Sequence, residues 1–104
     1  MKTFFGGIFI EKDKLIAEGI NYPIKVEYYK KINGDEVLKH NKEKYGLEIV
    51  KTEYREGEIS VENKEISYLT NNEEHLDSIL EIFKRNEVTP IGGEDILKDF
   101  STIT

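Results

Sequence analysis

The spacing of apolar residues changes period once along this chain, and that change dictates the fold class. Up to Leu69 the apolar residues fall in short alternating runs: Ile24, Val26 and Tyr28 against Lys25, Glu27 and Tyr29, then Ile59 and Val61 against Ser60 and Glu62. A period of two puts alternate side chains on opposite faces of a strand. After Leu69 the pattern becomes Leu76, Ile79, Leu80, Phe83, the i, i+3, i+4, i+7 stripe of a half-buried helix. Strands first and helices last is the α+β order. It predicts an antiparallel, meander-like sheet in the N-terminal two thirds, packed against a C-terminal pair of helices.

The segments follow from local chemistry. Phe4, Gly6, Ile8 and Ile10 alternate with Phe5, Gly7 and Phe9, so both faces are apolar. That predicts a strand that is central or covered on both sides, with a bulge at Gly6-Gly7. Glu11 to Lys14 reads as a turn and Leu15 to Glu18 as a short paired strand. Ile24 onward is a strand. Asn33-Gly34-Asp35 supplies the residues of a tight hairpin, and Glu36 to Leu38 begins its return. Residues 39–46 fit a strand, a polar loop or one helical turn. Leu47 to Tyr54 is a strand, with Ile49-Val50 breaking the alternation at a second bulge. Arg55 to Glu58 turns, Ile59 and Val61 continue, Asn63-Lys64 turns again, and Ile66 and Tyr68 end the sheet. Thr70 with Glu73, and Asn71 with Glu74, have capping-box spacing at the start of the long helix. Lys84 and Arg85 suit the negative end of its dipole, and Asn86 suits a left-handed residue after it. Thr89-Pro90 stops the chain. Glu94 to Phe100 reads as a second helix, and residues 101–104 as a frayed tail.

One domain over residues 1–104 fits the length of 104: residues 1–69 as sheet, 70–100 as helices. A chain of this size buries roughly 65% of its unfolded surface, enough for one core. The absence of cysteine excludes disulfides, thiolate nucleophiles and cysteine-based metal sites. No apolar run approaches membrane-spanning length, and the opening strand lacks the parts of a signal peptide. The cytoplasm is the expected compartment.

The net charge of −6 is unevenly spread. Residues 1–55 hold eleven Lys and Arg against nine Asp and Glu, about +2; residues 56–104 hold four against twelve, about −8. A solvated acidic helix face accounts for this. The alternative is an acidic inhibitor or nucleic-acid mimic of the kind mobile elements encode. Net negative charge argues against a nucleic-acid partner.

No residue set assembles a catalytic constellation. His40 and His75 lack further ligands at metal-binding spacing. The neighbouring acids Asp35/Glu36, Glu73/Glu74 and Glu94/Asp95 sit at turns or helix starts, where capping and solubility account for them. No serine has a nucleophile-elbow context. Gly92-Gly93 precedes Glu94-Asp95, whose charge would repel a phosphate. No cofactor is implied. The surface with binding character is Lys39, His40, Lys42 and Lys44, with Tyr29 on the preceding strand and Lys30 and Lys31 beside it. An aromatic among basic residues can stack on a single strand, and lysines also guard sheet edges.

The closing stretch has Asn86, Val88, Thr89, Pro90 and Ile91, then Asp95, Ile96 and Asp99. It resembles the end of a small, uncharacterised bacterial family of Firmicute type, in which a Val-Thr/Ser-Pro step leads into a short Asp-Val/Ile helix. The strand Tyr45-Gly46-Leu47-Glu48-Ile49 is similar as well. Gly92-Gly93 stands where members often carry a His-Leu pair. The resemblance implies a self-contained domain and brings no activity. The expectation is therefore a small non-enzymatic module that binds another protein or itself, homodimerisation by edge pairing included. An enzyme of unrecognised type is the remaining alternative.

Overall fold

The computed structural model describes residues 1–34 and 43–90. Four antiparallel strands form one sheet in sequence order: β1 (Lys2–Ile10), β2 (Ile24–Ile32), β3 (Tyr45–Arg55) and β4 (Glu58–Thr70). Between β1 and β2 lie a single helical turn, α1 (Lys12–Leu15), and a 3-10 turn, Ile16–Glu18. The long helix, α2 (Glu73–Arg85), follows β4. No helix among the described residues is long and apolar enough to cross a membrane.

The core lies between α2 and one face of the sheet. Val26, Tyr28, Leu47 and Ile49 point from the two inner strands at Leu76, Ile79, Leu80 and Phe83 of the helix, all essentially removed from solvent. Each of these side chains contributes about 1.5–3 kcal/mol when taken out of water. Ile10, Leu15 and Ile24 extend the core to one end of the sheet. The helical stripe read from the sequence is the set that is buried.

The cap at the start of α2 is Asn72. Its side chain accepts from the His75 backbone N–H at 3.2 Å, and Asn72 N–H donates to the Thr70 hydroxyl at 3.1 Å. Neither expected capping box is used, because the helix begins at Glu73. The exit is a Schellman arrangement: Val88 N–H donates to Phe83 C=O and Glu87 N–H to Lys84 C=O. Its left-handed residue is Glu87, at φ 54°, rather than the expected Asn86, which has φ −96°.

Several expectations are corrected. Among the described residues β1 is an edge strand, not a central one, and its outer face is open: Phe4 is 56% and Phe9 59% exposed. Its bulge inserts Phe5, between Phe4 opposite Tyr29 and Gly6 opposite Tyr28. Leu15 to Glu18 is not a paired strand: Leu15 closes α1, and Ile16–Glu18 forms the 3-10 turn, which ends at Gly19 in the left-handed conformation. Ile32 pairs with Tyr45, so Asn33-Gly34 does not close a two-residue hairpin. Asn33 instead donates from its backbone to Lys44 C=O, and from its amide to Glu43 and Ser67 C=O.

The pairing runs without a break through Ile49 and Val50, which simply face opposite ways. The irregularity of β3 and β4 falls at Gly46, between the pairs Tyr45–Thr70 and Leu47–Ile66. The β4 backbone crosses so closely that a side chain on Gly46 would run into the Ile66 and Ser67 carbonyls. Asn63-Lys64 does not turn; the two residues pair with Val50 and Ile49 inside a continuous β4. The turn at Glu56-Gly57 forms, with Gly57 at φ 76°. Of the expected C-terminal pair of helices the structure describes one, α2; the other helix among the described residues, α1, lies near the N-terminus. The expected helix Glu94–Phe100 lies outside the described residues, as do Glu36 to Leu38 and the tail 101–104.

Candidate binding surface

One face of the sheet is covered by α2 and the other carries no helix among the described residues. Strand alternation and register decide which side chains reach the open face. They are Lys2, Phe4 and Phe9 from β1, Lys25, Glu27, Tyr29 and Lys31 from β2, Glu48, Val50, Thr52 and Tyr54 from β3, and Ile59, Val61, Asn63 and Glu65 from β4. Ile59 and Val61 are about two thirds exposed, at 65% and 66%.

Two aromatic pairs mark this face along β1. Phe4 meets Tyr29 edge to face at 5.6 Å, and Phe9 meets Tyr54 at 6.3 Å. Between them Gly7 leaves a gap, and a shallow, largely apolar groove of about 490 Å³ lies there, lined by Phe4, Gly7, Ile8 and Phe9 and by the charged Lys25, Glu27 and Lys84. The Lys84 stem from α2 lies over Gly6 on the other side.

A polar network holds these rings. Glu48 is buried in the centre of the face, and its carboxylate accepts from Lys2 Nζ at 2.6 Å and Asn63 Nδ2 at 2.9 Å. Lys2 also stands 4.7 Å above the Tyr29 ring, a cation–π contact. The hydrogen bond to Glu48 raises the Lys2 pKa. The Tyr29 hydroxyl donates to Glu27 at 3.0 Å; burial first, and then this bond, push its phenol pKa up. Lys31 pairs with Glu65 and reaches the Ser67 hydroxyl, and the Lys31 hydrogen bond lowers the Glu65 pKa. Glu27, Glu48 and Glu65 on this face are thus each paired with a lysine, Lys25, Lys2 and Lys31.

The surface expected from the sequence is only partly on view. Tyr29 is on the open face. Lys44 lies over the Tyr45 ring at 5.5 Å, and that ring belongs to the covered face, with its hydroxyl 3.3 Å from Glu73. Lys30 and Lys31 also part: Lys30 pairs with Glu73 and Asp77 of α2 at 2.8 Å each, Lys31 with Glu65. Lys39, His40 and Lys42 lie outside the described residues. Phe4, Phe9, Ile59 and Val61 were not singled out by sequence reasoning. For Phe4 and Phe9 the signal lies in β1, which reads as apolar on both faces and so predicts a strand that is central or covered on both sides; Ile59 and Val61 read as ordinary strand alternation.

Elsewhere the chemistry is sparse. Among the described residues no three His, Asp or Glu side chains stand together as metal ligands. His75 is exposed at the start of α2. A cleft of about 400 Å³ at the Ile10 end of the core is lined by Leu15, Ile20 and Ile24 together with Glu18, Lys51 and Glu87; Lys51 also pairs with Glu62 at 3.8 Å.

Fold and surface together define a small α+β domain, one sheet backed by one long helix, with an open, partly aromatic face. The chain belongs to a family of unknown function (DUF6514), whose model matches residues 8–102. No curated protein and no solved structure matches it.

Proposed function

We propose that this chain is a small non-enzymatic protein that binds another polypeptide through the open face and the β1 edge of its sheet. One observation carries the reading. From Thr3 to Ile10 an edge strand has no charged residue, and Phe4 and Phe9 on it are more than half exposed. The opposite edge strand, β4, carries Glu58, Glu62, Lys64 and Glu65. Edges are ordinarily guarded by charge, as β4 is, and an unguarded one is a template for strand addition. Stability does not require a phenylalanine in water at either site, so binding is the better account of them.

The carboxylates favour this reading over a nucleic-acid mimic. Glu65 lies on the open face against Lys31, while Glu62 pairs with Lys51, and Glu73 and Asp77 with Lys30. Among the described residues these carboxylates are thus shared between faces and interleaved with lysines, where a mimic needs one continuous stripe. We place the protein in the bacterial cytoplasm, on its cysteine-free composition and its Firmicute-type closing stretch, and assign it no cofactor.

The test compares tagged wild-type chain with Phe9→Glu, crosslinked in cells at matched levels, with matched circular dichroism. A protein, the untagged chain included, that is captured by the wild type and lost with Phe9→Glu supports the reading. Identical eluates overturn it.

A further inference from the structure

The unguarded edge is self-complementary, and we propose that its occupant is a second copy of this chain, paired β1 to β1 in antiparallel register about a two-fold axis at Gly7. The inference rests on the protein-binding reading above and names its partner.

The register comes from the pairing of β1 with β2. Phe9, Gly7, Phe4 and Lys2 stand opposite Lys25, Glu27, Tyr29 and Lys31. Because Phe5 is the bulged residue, these four occupy alternate rungs and share the open face. A two-fold axis through the Gly7 rung then sets Phe4 of one copy against Phe9 of the other, twice. Two rungs further on each side it brings Lys2 towards Glu11 of the other copy. Glu11 is exposed, extended at φ −69° and ψ 150°, and next to Ile10 at the strand end. The Lys2 ammonium has donors to spare beyond the one it gives Glu48. Aromatic side chains directly opposed across an antiparallel pair attract one another, as do opposite charges. The two glycines meet at the axis, where they leave room for the four rings to close over them. No like charges face each other on any of these rungs. Sliding the register by two residues sets Phe4 or Phe9 against glycine and separates Lys2 from Glu11. An isologous contact of this kind closes on itself and does not propagate, which is how an apolar edge stays soluble. The product is one eight-stranded sheet with the two open faces continuous.

The test uses the full chain, whose lack of cysteine makes introduced thiols unambiguous. Sedimentation of the wild type should give a particle of twice 12.1 kDa at micromolar concentration, and Phe9→Glu should raise the dissociation constant about tenfold or more, through loss of two aromatic pairs. Phe4→Cys and Phe9→Cys, oxidised separately, should stay uncrosslinked; mixed, they should give a covalent dimer. A wild-type monomer throughout, a dimer indifferent to Phe9→Glu, or crosslinking as efficient in the separate samples as in the mixture would each overturn the proposal. A monomer whose Phe9→Glu variant still loses a captured foreign protein overturns self-pairing alone and leaves the protein-binding reading standing. A monomer whose variant loses nothing overturns both.

Discussion

Tyr28 joins the sheet to the end of the helix. Its side chain is fully buried, and its hydroxyl donates to Val88 C=O at 2.7 Å, with Phe83 C=O at 3.3 Å. Both carbonyls belong to the exit of α2, so one phenol fixes where the chain leaves the helix. Burial, with the nearby Glu87 charge second, pushes the Tyr28 pKa well above its ordinary value, so the group is a permanent donor. Replacing it by Phe keeps the ring and strands the Val88 carbonyl, at a cost of about 1–3 kcal/mol. Urea denaturation of Tyr28→Phe should show a lower midpoint and an unchanged slope. The neighbouring Glu87 acts in the opposite sense. It holds φ 54°, a conformation costing a non-glycine residue about 1 kcal/mol. Glu87→Gly should therefore stabilise the fold by up to about 1 kcal/mol, the greater freedom of glycine in the unfolded chain offsetting part of the gain. A midpoint below that of the wild type would contradict this.

At the scale of elements, α2 is fixed by its cap and β4 by its crossing at Gly46. Asn72→Ala removes the acceptor for the His75 N–H and should cost about 1 kcal/mol. Thr70→Ala acts only on the Asn72 N–H and should cost less; thermal unfolding of the two variants side by side checks the order. Gly46→Ala should be harsher than either, about 3 kcal/mol, because backbone carbonyls cannot rotate away as a side chain would. The sequence made the helix stripe and the strands of β2 and β3 legible, since each rests on a repeating period. It misled at Asn63-Lys64, where turn-forming residues are held in a strand by pairing with Val50 and Ile49 and by the Asn63 bond to Glu48. It was silent at Gly46, whose role depends on a strand twenty residues away. The open face was illegible for a related reason. Apolar alternation shows that β1 has two apolar faces, but which of them meets α2, and whether a strand lies beyond it, is settled by the order of strands in the sheet.

Across the whole molecule the described residues span 46 × 29 × 17 Å, a thin slab in which side-chain ion pairs bind strand to strand and sheet to helix. Their carboxylates set the acid limit of stability. Glu53 is lowered by its hydrogen bond from Tyr22, at 2.5 Å, Glu65 by Lys31, and Glu73 by Lys30. A carboxylate whose folded pKa lies below its unfolded value of 4.5 binds fewer protons in the folded state. Its stabilisation is complete above pH 4.5 and is lost as the pH falls through the folded value. The partner Lys30 is raised above 10.5 by Asp77 and Glu73, so its share is complete below that pH and lost only above it. The urea midpoint should then hold level from about pH 6 to 9 and drop below about 4.5. The net charge of −6 at pH 7 works against this drop at first, because early protonation relieves repulsion before the paired carboxylates titrate. The decline should thus begin below, not at, the pH where free carboxylates titrate. Glu53→Gln keeps an acceptor for Tyr22 and removes the charge, so it should lower the neutral plateau and shallow the acid limb together. A midpoint level down to pH 3 in the wild type would show that these pairs contribute nothing to folding, as exposed pairs often do not.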